Sequence, residues 1–242
     1  MNNYEWGLIW QNAPLLLRGL WTAMQVAAVA MVISLGFGLA LAVARMSRAP
    51  FSWLAAGYIN VFRGVPALVS VIWVYFGVAL LIGVSFSVFQ AGVIALVLLY
   101  SAFIAEIYRS ALEAIPRGQR EAGLALGITG RRVFRSITLP QATKIATPNI
   151  GNMFIGMVKD TSVFTVIGLL EVVRVTQNIV STTFQPFVLY TAAAALYVGV
   201  AFLLDFLFRT VEKVMSTPHE GSLARRINRR RRRRLEAIAS GA

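Results

Sequence analysis

Long apolar runs alternate with short polar breaks along most of the 242-residue chain. Five of these runs have the length that an α-helix needs to cross the hydrocarbon core of a membrane, about 20 residues. They cover residues 19–44, 65–83, 89–107, 149–170 and 187–208. The pattern predicts an all-α integral membrane protein with five transmembrane helices.

The second run has two possible starting points. Residues 51–61 are also mostly apolar, so they either extend the second helix toward the N-terminus or form a helix that lies along the membrane surface. In the first case Arg63 lies inside the membrane. Because Arg63 is followed by Gly64 and Pro66, we expect a kink there whose freed backbone groups face a cavity.

The composition excludes several kinds of active site. The chain contains no cysteine, and its single histidine, His219, lies in a polar segment near the C-terminus. Disulfides, thiol catalysis, cysteine-ligated metals and a histidine site inside the membrane are therefore excluded. We expect no catalytic residue and no metal site. No cluster of basic residues precedes the first apolar run, so that run is not predicted to be a cleaved signal peptide.

Positive charge predicts the orientation of the chain. Lysine and arginine residues close to the ends of spans stay on the cytoplasmic side. With the C-terminus inside, 19 of the 23 basic residues are cytoplasmic: two at positions 45 and 48, seven in the segment 109–144 and ten from position 209 onward. We therefore expect the N-terminus outside, the C-terminus in the cytoplasm, and only small outer loops at residues 84–88 and 171–186.

The charge pattern also divides the chain into two parts. Residues 1–210 form the predicted transmembrane domain, and residues 211–242 form a basic cytoplasmic tail with six consecutive arginines at positions 229–234. The arginine run has no interleaved aromatic residue to stack on a base. Contact with anionic lipids is therefore favoured over nucleic-acid binding.

The loop between the third and fourth spans, at about residues 110–144, is long enough to predict a folded element. Pro116 begins a helix, Gly127 suits its C-terminal cap, Thr129 caps a second short helix that runs to Ser136, and Pro140 marks its end. Composition alone slightly favours an amphipathic helix pair on lipid headgroups. The order of the residues favours another interpretation.

Two groups of motifs carry a resemblance to a known family. Glu121-Ala122-Gly123, then Gly127 and the run 137–140, resemble the EAA loop of ABC importer permeases. Residues 62–66, 102–109, 116–119 and 159–162 resemble the signature runs of the polar amino acid permeases, which serve histidine, glutamine, glutamate, arginine and opines. The resemblance extends from about residue 17 to residue 209 and leaves out the arginine tail.

The resemblance implies a role for each matching position of the loop. In that family the loop forms a coupling helix, which docks on an ATP-binding subunit and transmits its closure to the membrane helices. Glu121 would make a polar contact, Ala122 would pack closely, and Gly127 would provide a turn that requires glycine. Gly123 departs from the family, where a second alanine is frequent, and it weakens the helix by about 1 kcal/mol while it still permits close approach.

The chain lacks a GxxxxGK[ST] loop, which binds the phosphates of ATP, so the energy for transport must be supplied by a partner protein. The resemblance implies two ATP-binding subunits that hold ATP and magnesium, a second permease subunit, and an extracytoplasmic substrate-binding protein. The second permease is either identical to this chain or homologous to it. The expected location is the bacterial inner membrane, and no cofactor is expected in this chain.

Ionisable groups inside a span cost at least a few kcal/mol and therefore indicate function or a named partner. Lys159 and Asp160, with Thr161 and Ser162, either line the substrate path or belong to a structural network in which Lys159 pairs with Glu106. Both interpretations stay open. Arg63 is a candidate for binding a substrate carboxylate, and Glu106 is a further candidate for the substrate path.

Helical spacing predicts two ion pairs near the ends of spans. We expect Glu106 to pair with Arg109, in a structural or gating role, and Asp205 to pair with Arg209 at the membrane surface.

The leading hypothesis is a permease subunit that works by alternating access. One rival is a secondary transporter or channel in which Lys159, Asp160 and Glu106 relay an ion. Another is a membrane-anchored scaffold whose arginine tail recruits anionic partners. An intramembrane enzyme is least favoured, because no nucleophile, base and orienting group can be assembled from these helices.

Overall fold

The computed structural model describes residues 4–216, which form helices joined by short turns and contain no strand. In chain order the helices are α1 (Gly7–Arg45), α2 (Phe51–Gly64), α3 (Ala67–Ile72), α4 (Ala79–Ile82), α5 (Val88–Glu113), α6 (Arg117–Ala125), α7 (Gly130–Val133), α8 (Leu139–Asp160), α9 (Val172–Thr183) and α10 (Pro186–Ser216). A π-helical segment, Trp73–Val78, joins α3 to α4, and another, Phe134–Thr138, joins α7 to α8. A 3₁₀ segment, Thr161–Ile167, follows α8 directly. Of the predicted basic tail, residues 211–242, the first six residues complete α10, and residues 217–242 lie outside the described residues.

The spans agree with the apolar pattern. Among the described residues, four helical stretches are long and apolar enough to cross a membrane: Gly7–Arg45, Val88–Glu113, Gly130–Ile167 and Pro186–Val214. A fifth crossing consists of Phe51–Gly64 and Ala67–Ile82, which meet at a bend of 109°. The first helix begins at Gly7, before the predicted start at residue 19, and it continues through Gln11, Asn12 and Arg18, which interrupt the apolar run in the sequence.

The bend confirms the predicted kink. Val65 is extended, with ψ of 128°, and Pro66 is extended with ψ of 146°. The residue before a proline avoids the helical conformation, because the proline ring collides with its backbone. Residues 51–61 therefore belong to a separate helix, α2, rather than to a straight extension of the second span.

The predicted helix end at Pro140 is wrong. The chain passes from α7 through the π-helical segment into α8 without leaving the helical conformation, and Pro140 occupies the first turn of α8. The missing N–H of Pro140 removes one hydrogen bond from this continuous helix, and the π-helical segment directly before the proline is where the regular α-helical bonding is interrupted. The second helix of the loop is consequently continuous with the fourth span.

The segment 171–186 is also more ordered than a small loop. It contains α9, whose side chains at Val172, Thr176 and Ile179 are buried against α1 and α10. Glu171 caps this helix: its carboxylate accepts hydrogen bonds from the backbone N–H groups of Val173 (2.7 Å) and Arg174 (2.8 Å). The apolar pattern predicts only a small outer loop here, because α9 has 12 residues and is too short to register as a span.

Glu171 is 0% exposed, so its charge needs further partners. The Tyr197 hydroxyl of α10 donates to the same carboxylate at 2.8 Å. Burial raises the pKa of this carboxyl above its ordinary value, and the three donors oppose that rise. The carboxylate thereby joins the start of α9 to α10.

The core lies between α1, α5, α8 and the 3₁₀ segment, and α1 packs most extensively on α5. Glycines admit large side chains from neighbouring helices: Gly38 faces Ile104, and Gly92 faces Phe164. A Cβ atom on Gly38 would lie 2.8 Å from a side-chain carbon of Ile104. Close packing around small residues is the usual source of stability between membrane helices.

Gly19 is the point where α1 meets the backbone of α9. A Cβ atom there would lie 2.9 Å from the carbonyl carbon of Glu171 and 3.0 Å from the amide nitrogen of Val172. We expect Gly19→Val to destabilise the chain by about 1–3 kcal/mol, because neither backbone atom can move freely. Thermal unfolding of the detergent-purified chain, followed by tryptophan fluorescence, measures this loss.

Gly36→Val is the matched control for this substitution. It places the same side chain on the same helix, at a position with no neighbouring atom within 4 Å of the added Cβ. An equal loss of stability in both variants would contradict the packing of α9 on α1.

Candidate functional site

Two breaks in the membrane helices meet at one cavity. The first is the α2–α3 bend, and the second is the transition from α8 to the 3₁₀ segment after Asp160. The cavity has a volume of about 230 Å³ and is lined by Val65, Ala67, Leu99, Tyr100, Phe103, Met153 and Asp160. Discontinuous helices expose backbone polar groups and recur at substrate sites of membrane transporters.

Asp160 is the charged group of this cavity. It is half-buried, and its carboxylate accepts a hydrogen bond of 2.9 Å from the hydroxyl of Tyr100 on α5. Gly156, one turn before Asp160, makes room for this bond, since a Cβ there would lie 3.2 Å from the Tyr100 oxygen. The carboxylate keeps further acceptor capacity for a cationic or N–H-bearing ligand.

Arg63 reaches the same region from α2. Its guanidinium carbon lies 5.7 Å from the centre of the Phe103 ring, within cation–π range, and Phe103 lines the cavity. The side chain of Arg63 is exposed and has no ion pair among the described residues. A carboxylate can therefore still bind its five N–H donors.

Lys159 and Glu106 do not pair with each other. Glu106 binds Arg109, whose Nε donates to Glu106 Oε2 at 3.0 Å, and Arg109 also binds Glu113. The predicted Glu106–Arg109 pair is thus confirmed, as is Asp205 with Arg209 at 2.7 Å. Lys159 points to the surface of the described chain, and no ion pair there includes it.

The two hydroxyl residues after Asp160 differ in environment. Thr161 is fully buried, and its hydroxyl donates to the carbonyl of Val158 at 2.7 Å. Ser162 is half-buried. Glu106 is not among the residues that line the cavity.

A second surface lies at the opposite end of the bundle, beside the C-terminal ends of α1 and α5. Glu121 and Ala122 are exposed on α6, and Gly127 turns the chain after it with a φ of 77°. This left-handed conformation explains why glycine is required at that position.

Gly123 lies on the inner face of α6. It is buried, and a Cβ there would lie 2.8 Å from Val133 Cγ2 on α7. The absence of a side chain at Gly123 therefore permits α6 to pack closely on α7.

A hydrogen-bonded glutamine pair connects α6 to the fourth span. Gln141 on α8 donates to the side-chain oxygen of Gln119 on α6 at 2.7 Å and to the carbonyl of Ile137 at 2.9 Å. Since α7, the π-helical segment and α8 are continuous, α6 is attached to the helix that ends at Asp160.

Comparison with known proteins decides the family. Residues 15–217 match the family of binding-protein-dependent transport system inner membrane components. The chain belongs to this family. It is therefore a multi-pass inner-membrane transport subunit and not an enzyme in its own right.

Named relatives in this family are amino-acid permeases. The chain is 32% identical over 216 residues to the arginine transport system permease protein ArtQ of Bacillus subtilis, covering 89% of this chain and 99% of ArtQ. It is 33% identical over 217 residues to the glutamine transport system permease protein GlnP of Escherichia coli K12, covering 88% and 98%.

Solved structures agree with the helical architecture. A crystal structure of an amino acid ABC transporter with histidines matches with a TM-score of 0.83 and 33% identity, covering 88% of this chain and 99% of that one. The MetNI methionine ABC transporter matches with a TM-score of 0.72 at 21% identity, covering 85% and 98%. At that identity the second match concerns the fold alone.

For this permease, sequence reasoning identified Asp160 and the run that contains Gln119, but it missed Glu171 and the hydrogen-bonding side chains of Tyr100, Gln141 and Tyr197. Tyr100, Gln119, Gln141 and Tyr197 each make a hydrogen bond that defines the site or its support. Polar side chains within or next to apolar runs are the signal that could have found them, because such groups require partners in a membrane.

The contact between Gly123 and Val133 can be tested by its effect on the loop. We expect Gly123→Val to separate α6 from α7, since overpacking a close contact costs about 1–3 kcal/mol. Arg131 and Arg132 are already exposed, but separation would leave the short helix α7 without its packing partner, so limited trypsin digestion of the purified permease should cut the loosened backbone there faster. Gly118→Val, on the same helix with no atom within 4 Å of the added Cβ, is the control. Equal digestion of the two variants would exclude a packing role for Gly123.

Proposed function

We propose that this permease is the membrane subunit of an ATP-driven importer of polar amino acids, which works by alternating access. The observation that carries the proposal is the half-buried Asp160–Tyr100 pair in a cavity formed by two helix breaks. One continuous helical stretch runs from this cavity to α7, and a hydrogen bond between Gln119 and Gln141 joins the exposed helix α6 to it. The names of the relatives support the substrate class.

Asp160 binds the ammonium group of the substrate in this proposal. Its carboxylate already has one donor in Tyr100, which orients it and leaves other lone pairs free. Lys159 and Arg63 bind the substrate carboxylate, since both are exposed cations near the cavity. Thr161 and Ser162 shape the wall after the helix break, and Glu106 with Arg109 closes the path toward the cytoplasm.

Coupling to ATP hydrolysis runs through α6. Glu121 makes a polar contact with the ATP-binding subunit, and Ala122 packs against it, since both are exposed. Gly123 and Gln119 hold α6 on α7 and α8, so that a displacement of α6 moves α8 and the Asp160 site with it. Gly127 provides the turn that allows α6 to pack back on α7.

The assembly comprises two ATP-binding subunits, a second permease subunit and an extracytoplasmic substrate-binding protein. ATP and magnesium are held by the ATP-binding subunits, and this chain holds no cofactor. The N-terminus lies outside and the C-terminus in the cytoplasm, since 19 of 23 basic residues are then cytoplasmic. The arginine-rich tail contacts anionic lipids of the inner leaflet.

The α6 surface is tested by co-purification from the native membrane. We expect a stoichiometric ATP-binding subunit with wild-type permease and its loss with Glu121→Lys, which reverses the exposed charge of the docking surface. Glu212→Lys is the control, because it reverses an exposed charge at the same end of the bundle but on α10. Retention of the ATP-binding subunit by both variants would remove the coupling role from Glu121.

The Asp160 site is tested by uptake of radiolabelled amino acids into proteoliposomes with the assembled transporter. Asp160→Asn should lower uptake by roughly tenfold or more, because a hydrogen bond to a charged group is worth about 1.5–3 kcal/mol. Lys159→Met should also abolish uptake, and both variants should still assemble with the ATP-binding subunit. Asp205→Asn, which removes an exposed acid of α10, should transport normally. Loss of assembly in the Asp160 and Lys159 variants would indicate a structural network instead.

A further inference from the structure

The exposed surface of α8 differs from that of the other spans. Between Asn149 and Asp160, the exposed side chains are Asn149, Asn152 and Lys159, all of them polar. The exposed surfaces of α1 and α10 are instead largely apolar, with side chains such as Val32 (72% exposed) and Phe202 (71%). A lipid-facing surface explains the second pattern and not the first.

The three polar residues of α8 share one face of the helix. At about 100° per residue, positions 149, 152 and 159 fall within an arc of roughly 80°, and they extend over about 15 Å of helix length. That length is about half of the hydrocarbon core of a membrane, which is roughly 30 Å thick. We define Asn149, Asn152 and Lys159 as the α8 polar stripe.

The stripe adjoins the cavity at one end and the α6 end of the bundle at the other. Asp160 and Met153, which line the cavity, are the sequence neighbours of Lys159 and Asn152. At the other end, Ala146, one turn before Asn149, packs against Ala111 near the end of α5. The stripe thus runs from the Asp160 site toward α6.

The side chains of the stripe form few hydrogen bonds or ion pairs within the described chain. Asn149 donates one hydrogen bond, to the carbonyl of Ile145 on its own helix at 3.1 Å. Within residues 4–216, no hydrogen bond is formed by the side chain of Asn152 and no ion pair by Lys159. Unpaired amides and an ammonium group at this depth require water or a polar ligand.

We propose that Asn149 and Asn152, below Lys159, line a water-filled inner half of the substrate path, whose opposite wall is the second permease subunit. This inference rests on the proposed transport function and adds the route by which the amino acid leaves the Asp160 cavity. The amides hydrogen-bond the ammonium and carboxylate groups of the departing substrate. The path is incomplete in one chain, because none of its described residues covers the stripe.

The chain provides a clean background for a test, since it contains no cysteine. Asn149→Cys and Asn152→Cys are made in the assembled transporter, in inside-out membrane vesicles. The probe is the anionic, membrane-impermeant reagent methanethiosulfonate ethylsulfonate, and mass spectrometry of this chain measures the rate of modification. Phe202→Cys, exposed on the apolar face of α10, is the matched control, and Arg131→Cys in the α6–α7 region is the positive control.

We expect both stripe cysteines to react at least about tenfold faster than Cys at position 202, because only an ionised thiol in contact with water reacts readily. Excess amino-acid substrate should slow the reaction at position 152. Two outcomes overturn the inference: stripe cysteines that stay unmodified while position 131 reacts, which indicates a dry contact with the partner subunit, or equal rates at positions 152 and 202.

The test separates this inference from the proposed function. Uptake is measured in parallel for wild type and Asn152→Cys, in right-side-out vesicles prepared from the same membranes. If wild type transports amino acids and the stripe stays unmodified, the path fails and the transport function stands. If wild type does not transport any amino acid, the proposed function itself fails.

Discussion

The structure depends on one constraint: within the hydrocarbon core, every backbone and side-chain polar group needs a partner supplied by the protein or by enclosed water. Continuous helices satisfy the backbone along most of the chain. The exceptions are the bend after α2 and the change to a 3₁₀ segment after α8, and both border the same cavity. The coincidence of two helix breaks, an aspartate and a tyrosine at one cavity is therefore the feature on which the proposed binding site rests.

The same helix serves the cavity and the α6 surface. The chain remains helical from α7 through the π-helical segment into α8, and the Gln119–Gln141 hydrogen bond attaches α6 to it. A π-helical segment widens the helix locally, and it lies where the loop joins the span. The α6 surface and the Asp160 cavity are thus connected through one continuous helical stretch, to which α6 is joined by a hydrogen bond.

The apolar pattern was sufficient to predict the all-α class, five crossings and the kink at Gly64–Pro66, because each depends on local sequence. Features that depend on contacts between residues distant in sequence are harder to predict. The sequence predicts a helix end at Pro140, since it does not reveal that this proline occupies the first turn of α8. Likewise α9 was missed, because its stability comes from burial against α1 and from Tyr197, which lies 26 residues from Glu171. The positions of Glu106 and Asp205 were predictable, as both pair within one turn of their own helix.

The way Glu171 holds α9 limits which motions the molecule can make. Its carboxylate ties the start of α9 to α10 through Tyr197, and the backbone at Gly19 brings α1 against the same point. A force applied to α9 therefore acts on α10 as well, because separating the two helices removes the Tyr197 donor from a buried carboxylate, and the close contact at Gly19 transmits it to α1. A displacement that begins on one face of the membrane domain is in this way distributed over several helices before it reaches the opposite face.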